Sequence, residues 1–401
     1  MRVAIATVGT TGDVRPFVSL ARALGARGHD VTAVTWPVHG SALMLAGIRV
    51  EVAGPHADAA RIAAVAAEAA GQGPMEQVAT LRDFHLADGE AHYRRLRDVL
   101  AGHDLVVLHG IHALAHAAVL DLEVPWATAV FDPVLLPTAS APPPGMPNLG
   151  PLNRLLWGVL DRALAGAGKP VDALLERAGS GQRGLPLFRA RSPRLHLVAC
   201  SPSIIRVPPD LPPSTVVTGA WIDRSAAPAL PSDLDAFVAD GAPPIVVTFG
   251  SMDGAPAAPL HDAIRAMLDG GRRIVLQGHA PISSPNLASI GPVDHRSLFP
   301  RASVVVHHGG AGTTHAVCAA GVPSVVVPHV GDQRYWADRL HRLGVAPAPQ
   351  LAMDLRADRL ADATLATAAD PAMRQAARDL AQHLEAEDGI GSAVTAIEAA
   401  I

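Results

Sequence analysis

The densest chemistry in the chain lies in the run Val304-Val305-Val306-His307-His308-Gly309-Gly310-Ala311-Gly312-Thr313-Thr314. A β-branched stretch ends in two histidines and turns through glycines into a helical pattern that stops at Gly321. Such a junction suits a diphosphate, because unpaired backbone N–H groups and the positive end of a helix dipole converge on one spot. Gly310, Ala311 and Gly312 would present N–H groups, Thr313 and Thr314 hydroxyls, and His308 a ring N–H. Downstream, Asp332-Gln333 offers the acceptors and donors that sugar hydroxyls need. One short region could therefore hold both halves of a nucleotide-diphosphate sugar.

These residues must be positioned by regular elements, and the chain supplies them twice. In the first half, 2–8, 31–35, 105–108 and 125–130 read as buried strands, with helical patterns at 14–26, 58–70 and 84–100. After a proline-dense stretch at 202–231 the pattern restarts, with strands at 245–249, 273–276, 304–307 and 324–328. The segment 133–153 is too rich in proline and glycine for regular structure and suits a wall or lid over a bound molecule. Alternation of this kind implies two doubly wound parallel sheets, with ligands at strand carboxyl ends. The boundaries expected are 1–205 for an acceptor domain, 206–232 for a linker and 233–385 for a nucleotide-sugar domain. A last helix in 386–401 is expected to pack back on the first domain.

The segment from Gly291 to Val345 resembles the donor-binding signature of the GT-B glycosyltransferases in the UDP-glycosyltransferase superfamily (glycosyltransferase family 1), most of all their bacterial natural-product and sterol branch. Leu298-Phe299-Pro300, the run 307–314, and Gly331-Asp332-Gln333 through Trp336 fall where that family has them. Independently, Gly9-Thr10-Thr11-Gly12-Asp13-Val14-Arg15-Pro16 resembles the acceptor-side loop of the same branch. Two motifs in the right order are more specific than either alone. The resemblance implies an α/β GT-B fold, with two Rossmann-like domains facing a central cleft.

Composition is consistent with this. At 401 residues the chain exceeds one ordinary core, and 49% hydrophobic with 17% charged residues suits a well-buried α/β enzyme. The net charge of −5 and a single lysine, Lys169, argue against nucleic acid as a partner. Two cysteines, Cys200 and Cys318, are too few for a disulfide framework and favour a reducing cytoplasm. No stretch has the roughly 20 apolar residues of a membrane span. A soluble cytoplasmic protein, monomer or homodimer, is expected.

An inverting sugar transfer needs a base for the acceptor hydroxyl and positive charge for the departing diphosphate. Asp13 is the candidate base; the plainer alternative is that it caps a helix beginning at Val14. His308 and the 310–314 turn are the candidate diphosphate ligands, whereas His307 reads as the end of a buried strand. Asp332 and Gln333 are the sugar-binding candidates, beside the alternative of local turn contacts. Further donor-site candidates are Ser251, Val293 and His295, with Arg296 also near the base; where plant relatives stack a tryptophan on uracil, this chain has none. Acceptor-side candidates are Thr11, Gly12, His112 and Trp336, the last with the alternative that it packs behind the 331–333 loop.

Three patterns read as decoys. Asp233-Leu234-Asp235 resembles a metal-binding Asp-x-Asp, yet follows Ser232 at a helix start, where capping accounts for it better. His109, His112 and His116 lack a third ligand at metalloprotease spacing. Gly309 to Gly312 lacks the acidic residue that completes a dinucleotide fingerprint.

The reading is an inverting, metal-independent hexosyltransferase with no cofactor, the nucleotide sugar being a co-substrate. A dTDP-deoxysugar or UDP-glucose would supply a sugar to a hydroxyl of a lipophilic aglycone such as a polyketide or glycopeptide. The alternatives are a sterol or lipid glucosyltransferase, a nucleotide-sugar epimerase of the same fold, and a catalytically silent sugar-nucleotide-binding helper.

Overall fold

The computed structural model describes residues 1–70, 72–134, 136–144, 146–249, 257–278 and 281–400. The chain divides into two compact units, one formed by Met1–Val65, Gln72–Trp221 and Asp388–Ile401, the other by Ala66–Gly71 and Ile222–Glu387.

The first unit is built on seven strands: β1 (Arg2–Ala6), β2 (Asp30–Thr35), β3 (Arg49–Val52), β4 (Leu105–His109), β5 (Trp126–Val130), β6 (His196–Val198) and β7 (Thr215–Val217). All pair in parallel, in the order β3-β2-β1-β4-β5-β6-β7. Val3 to Ala6 and Leu105 to Leu108 are wholly buried, as expected of central parallel strands covered on both faces. The chain order reverses between β1 and β4, and the crevice beyond their carboxyl ends is where such sheets hold ligands.

Several expectations need correction here. The first helix spans Thr11–Ala26 and begins before Val14, because Thr10 is its N-cap and Asp13 lies inside its first turn. The stretch expected as one helix at 84–100 is two, Pro74–His85 and Gly89–Leu100, interrupted at Asp88 with φ 54°. The expected linker 206–232 begins too early: β7 extends the first sheet, and the unit continues through Trp221. Pro212 and Pro213 lead into that strand, which lies at a sheet edge where proline is tolerated. The irregular segment 133–153 is pinned by Asp210, whose carboxylate accepts from the Ala139 N–H at 2.6 Å and the Ser140 hydroxyl at 3.2 Å. The last helix, Gly389–Ala399, packs on Thr11–Ala26, and its Glu398 lies 3.2 Å from His29 Nε2.

The second unit carries β8 (Ile245–Thr248), β9 (Ile274–Gln277), β10 (Leu287–Ile290), β11 (Val304–His307) and β12 (Ser324–Val326), all parallel, in the order β10-β9-β8-β11-β12. Alternate residues serve opposite faces. Ile245, Val247, Val304 and Val306 pack beneath the helices Ala257–Asp269 and Ala357–Ala369, while Val246 and Val305 pack with Leu298, Phe299 and Val317. Here the order reverses between β8 and β11.

Candidate functional site

In the second unit, β11 ends at His307, which pairs in register with Thr248 at the end of β8; Thr248 in turn pairs with Gln277 at the end of β9. The strand-end chemistry is thus assembled at the topological switch. Gly309 turns the chain with φ 88°, where a Cβ would also lie 2.8 Å from Val326 and 2.9 Å from the Gln333 carbonyl oxygen. Glycine is required there twice over. Gly310 then caps the helix Ala311–Ala319 without any side-chain cap bond, leaving the N–H groups of the first turn available.

His308 lies over this helix start. A Cβ on Gly310 would sit only 2.4 Å from His308 Nε2. The ring is buried, its Nδ1 has no partner among the described residues, and burial, with His329 and His295 nearby, holds its pKa down to about 3. It is therefore a neutral imidazole with one N–H to donate, poised beside free backbone donors. Thr314 is wholly buried; its N–H already bonds the Gly310 carbonyl at 2.9 Å, and its hydroxyl has no partner among the described residues. Ala311 and Thr313 are half-buried and Gly312 is exposed. His307 has another job: wholly buried, it accepts the Gly309 N–H on Nδ1 at 3.1 Å and so shapes the turn.

Asp332 and Gln333 follow β12. Gln333 Oε1 accepts the N–H groups of His329 at 2.7 Å and Val330 at 3.1 Å, folding the loop back on itself. Asp332 Oδ2 accepts the indole N–H of Trp336 at 2.6 Å. That indole corrects one expectation. Trp336 is 0% exposed, with His315 and Tyr335 against its faces, so no acceptor can reach it.

Around the expected base-binding loop, His295 stacks on Phe299 at 4.2 Å and lies 3.3 Å from Gln277 Oε1, which also accepts the Thr248 hydroxyl at 3.1 Å. Arg296 is engaged by the protein itself. Its guanidinium engages the Asp294 carboxylate through two nitrogens and donates to the Asp223 and Ser225 carbonyls. Val293 is half-buried against the Leu298 and Phe299 cluster. Ser251 lies outside the described residues. Gln277 and Thr248 do not stand out in the sequence, since only the β8/β9 register brings them together.

In the first unit, Asp13 is half-buried and its Oδ2 accepts from both the Thr10 N–H at 2.7 Å and the Thr10 hydroxyl at 2.9 Å. Both bonds fall on one oxygen, so Oδ1 remains to meet another proton. Thr11 and Gly12 are exposed beside it. His109 ends β4, stacked on Phe131 at 5.3 Å; burial lowers its pKa while the Asp13 charge pulls it the other way, a sign of proximity across the β1/β4 switch. His39, which sequence reasoning also passed over, bonds the Gly9 carbonyl through Nε2 at 3.0 Å and holds the loop before Asp13.

His112 caps the helix Ala113–Asp121, while His116 packs on Trp126 at 4.8 Å, so the three histidines diverge. Among the described residues no group of three or more His, Cys, Asp or Glu could hold a metal ion. Asp233 and Asp235 lie in the first turn of Ser232–Ala239, and Asp235 pairs with Arg301. The N-cap there is Pro231, without a side-chain cap bond, so the expected Ser232 cap is replaced by an ion pair. No helix among the described residues is long and apolar enough to cross a membrane.

Comparison with known proteins places these sites in context. Residues 277–398 match the family model described as Erythromycin biosynthesis protein CIII-like, C-terminal domain. The chain is 32% identical to O-mycaminosyltylonolide 6-deoxyallosyltransferase of Streptomyces fradiae, over 99% of this chain and 97% of that one. It is 33% identical to the vancomycin aglycone glucosyltransferase of Amycolatopsis orientalis, over 87% of this chain and 86% of that one. The glycosyltransferase VinC, solved in complex with dTDP, superposes with a TM-score of 0.69 at 19% identity, covering 100% of this chain and 99% of that one.

Proposed function

The chain belongs to the natural-product glycosyltransferases of the UDP-glycosyltransferase superfamily, enzymes of the GT-B fold, and within that family we propose that it carries a sugar from a dTDP-deoxysugar or UDP-glucose to a hydroxyl of a lipophilic natural-product aglycone. The observation that carries this reading is the uncapped helix start at Gly310 beneath a neutral, buried His308. Backbone donors of the 310–314 turn and the His308 N–H neutralise the diphosphate as it leaves. Asp332 and Gln333 orient the sugar, and His295 with Gln277 lies toward the base. The 6-deoxyallosyl and glucosyl transfers named for the two relatives, and the dTDP bound to VinC, support this choice of donors.

Asp13 takes the acceptor's proton as that hydroxyl attacks the anomeric carbon, inverting it, and the nucleoside diphosphate departs with the bonding pair. A carboxylate is a weak base, so placement rather than basicity has to make it effective. The reaction is metal-independent, the sugar nucleotide is a co-substrate, and the enzyme works in the cytoplasm.

The test is a donor panel run against hydrophobic aglycones with mass detection. A hexosyl or deoxyhexosyl adduct formed with release of dTDP or UDP, undiminished by EDTA, is expected. Conversion of the sugar without acceptor would instead identify an epimerase. Asp13→Asn keeps an oxygen for the Thr10 N–H, so the fold should survive while turnover falls by about 10² to 10⁴. Near-normal turnover removes Asp13 from the mechanism.

A further inference from the structure

The helix Asn153–Arg177 of the first unit carries two apolar stripes, where one is enough to dock it. Asn153, Trp157, Leu164, Val171 and Leu175 face inward and are buried. Two of them fix the helix start: the Asn153 amide donates to the Ala139 carbonyl at 3.0 Å, and the Trp157 indole to the Ala141 carbonyl at 2.9 Å. On the far side, Leu152, Leu155 and Val159 follow the same helical spacing, yet are 56%, 68% and 53% exposed. Leu149, just before them, is 47% exposed. Scattered apolar residues at a surface are ordinary, but four in adjacent turns form a patch.

The stripe continues into charge. Arg162 and Lys169 stand seven and fourteen residues beyond Leu155, hence on its side of the helix, and both are exposed. Lys169 is the single lysine of the chain. Neither cation has an ion-pair or hydrogen-bond partner among the described residues. The acids of this helix are engaged instead: Asp161 with Arg189, Glu176 with Arg183 at 3.6 Å, and Asp172 with the Gly184 N–H at 2.9 Å. Its other arginines, Arg154 and Arg177, are held by Asp210 and Glu90. The outward face is thus a row of aliphatic side chains leading to two unpaired positive charges.

We propose that this face docks the first unit on an anionic lipid surface, with the aliphatic side chains among the acyl chains and Arg162 and Lys169 at headgroup phosphates. The helix lies on the bilayer rather than crossing it, in keeping with its many exposed charges. Both cations have stems long enough to keep their charge at headgroup level while the aliphatic row sinks below. A second copy of the chain is a poorer occupant. Four half-exposed side chains fall well short of the roughly 800 Å² per partner that stable interfaces bury. In a two-fold pairing the face would meet itself, and it holds no acid to receive Arg162 or Lys169. Burying each half-exposed aliphatic side chain strengthens partitioning by about fivefold, and each cation beside an anionic bilayer adds a similar factor. Together they give a partition constant on the order of 10⁴ M⁻¹, the reversible hold of a single myristoyl chain.

The test floats the full-length protein with vesicles of phosphatidylcholine alone or of an equal mixture with phosphatidylglycerol. The parent is expected to be half-bound at about 0.1 mM of the anionic lipid and to bind phosphatidylcholine at least about tenfold more weakly. Salt at about 0.5 M should remove most of that difference. Leu155→Asp should weaken anionic binding by at least about tenfold, and Arg162→Gln with Lys169→Gln should bind both vesicles alike. Met353→Asp, at a methionine of the second unit that is 85% exposed, should change nothing. Should Leu155→Asp fail to fold, the paired cation variant and the vesicle preference of the parent decide. Absence of binding, equal binding of the parent to both vesicles, or undiminished binding by a folded Leu155→Asp overturns the proposal. So does a dimer in sedimentation velocity that Leu155→Asp dissociates, which would make this face an interface between copies.

Discussion

Gly310→Ala isolates the anion-binding geometry from the fold. Gly310 has φ −63° and ψ 146°, a conformation open to any residue, so alanine introduces no backbone strain. The loss at the N-cap is at most about 1 kcal/mol. The added methyl, however, meets His308 Nε2 at 2.4 Å, where ordinary contact begins near 3.4 Å, so the ring must retreat by about 1 Å. A 2.9 Å bond from that ring to a phosphate oxygen would stretch beyond hydrogen-bonding range. Charge-assisted bonds of this kind contribute about 1.5–3 kcal/mol, which corresponds to a weakening of dTDP or UDP by about 10- to 150-fold. Calorimetry on the parent, Gly310→Ala, His308→Ala and the double variant closes a thermodynamic cycle. Because the methyl acts through the ring, it should weaken binding little further once His308 is alanine. An affinity within twofold of the parent in Gly310→Ala, or an undiminished effect in the His308→Ala background, would refute the argument.

Two further outcomes follow from burial. His92, His116 and His196 are each held near 4 by burial, below the usual 6.5, so the folded protein keeps them neutral while the unfolded chain protonates. Their stabilising contribution is complete above pH 6.5 and is lost as pH falls from 6.5 toward 4. Between pH 7.5 and 5.5 each loses on the order of 1 kcal/mol, and urea unfolding at the two pH values should show the loss as a lower midpoint at unchanged slope. A midpoint that does not move would mean these rings are already solvated. Arg296→Ala should lower stability by about 1–3 kcal/mol through its abandoned contacts to Asp294, Asp223 and Ser225, yet leave the dTDP Kd of the folded protein within about twofold; a large loss of affinity would restore Arg296 to the base site.

The sequence revealed most where structure is dictated locally. The central strands β1, β4, β8 and β11 are unbroken apolar runs because both faces of each are covered, and burial on both faces leaves a continuous signal. Of the four edge strands, β12 is buried throughout and reads as a strand, while the other three carry no such mark. β3, β7 and β10 are short and only partly buried, and β7 lies among prolines that otherwise read as a linker. The same division runs through the site. His308 and the turn to Thr314 are contiguous, so their shared role is visible in the chain. Thr248, Gln277 and His307 meet only through parallel register, which one sequence does not display. The inward place of Trp336 is legible: with Ala337 and Leu340 it forms the buried stripe of the helix Gln333–Arg342, a spacing that points inward.

Both units place their candidate chemistry at the same topological position, and in the proposed reaction only one of them receives the diphosphate, a choice argued from the helix starts. The helix Thr11–Ala26 is capped by its own acid: the Asp13 carboxylate accepts the Thr10 N–H, so its first turn already carries a negative charge against the dipole. A second anion arriving there would meet a carboxylate at close range, while an acceptor hydroxyl would meet a proton acceptor. The helix Ala311–Ala319 has neither cap side chain nor acid in its first turn, and the group above it is a neutral imidazole. Its donors are left for whatever anion approaches. The sheets are alike in topology at their switch points, so in the proposed reaction the assignment of hydroxyl to one unit and pyrophosphate to the other rests on the first four residues of two helices.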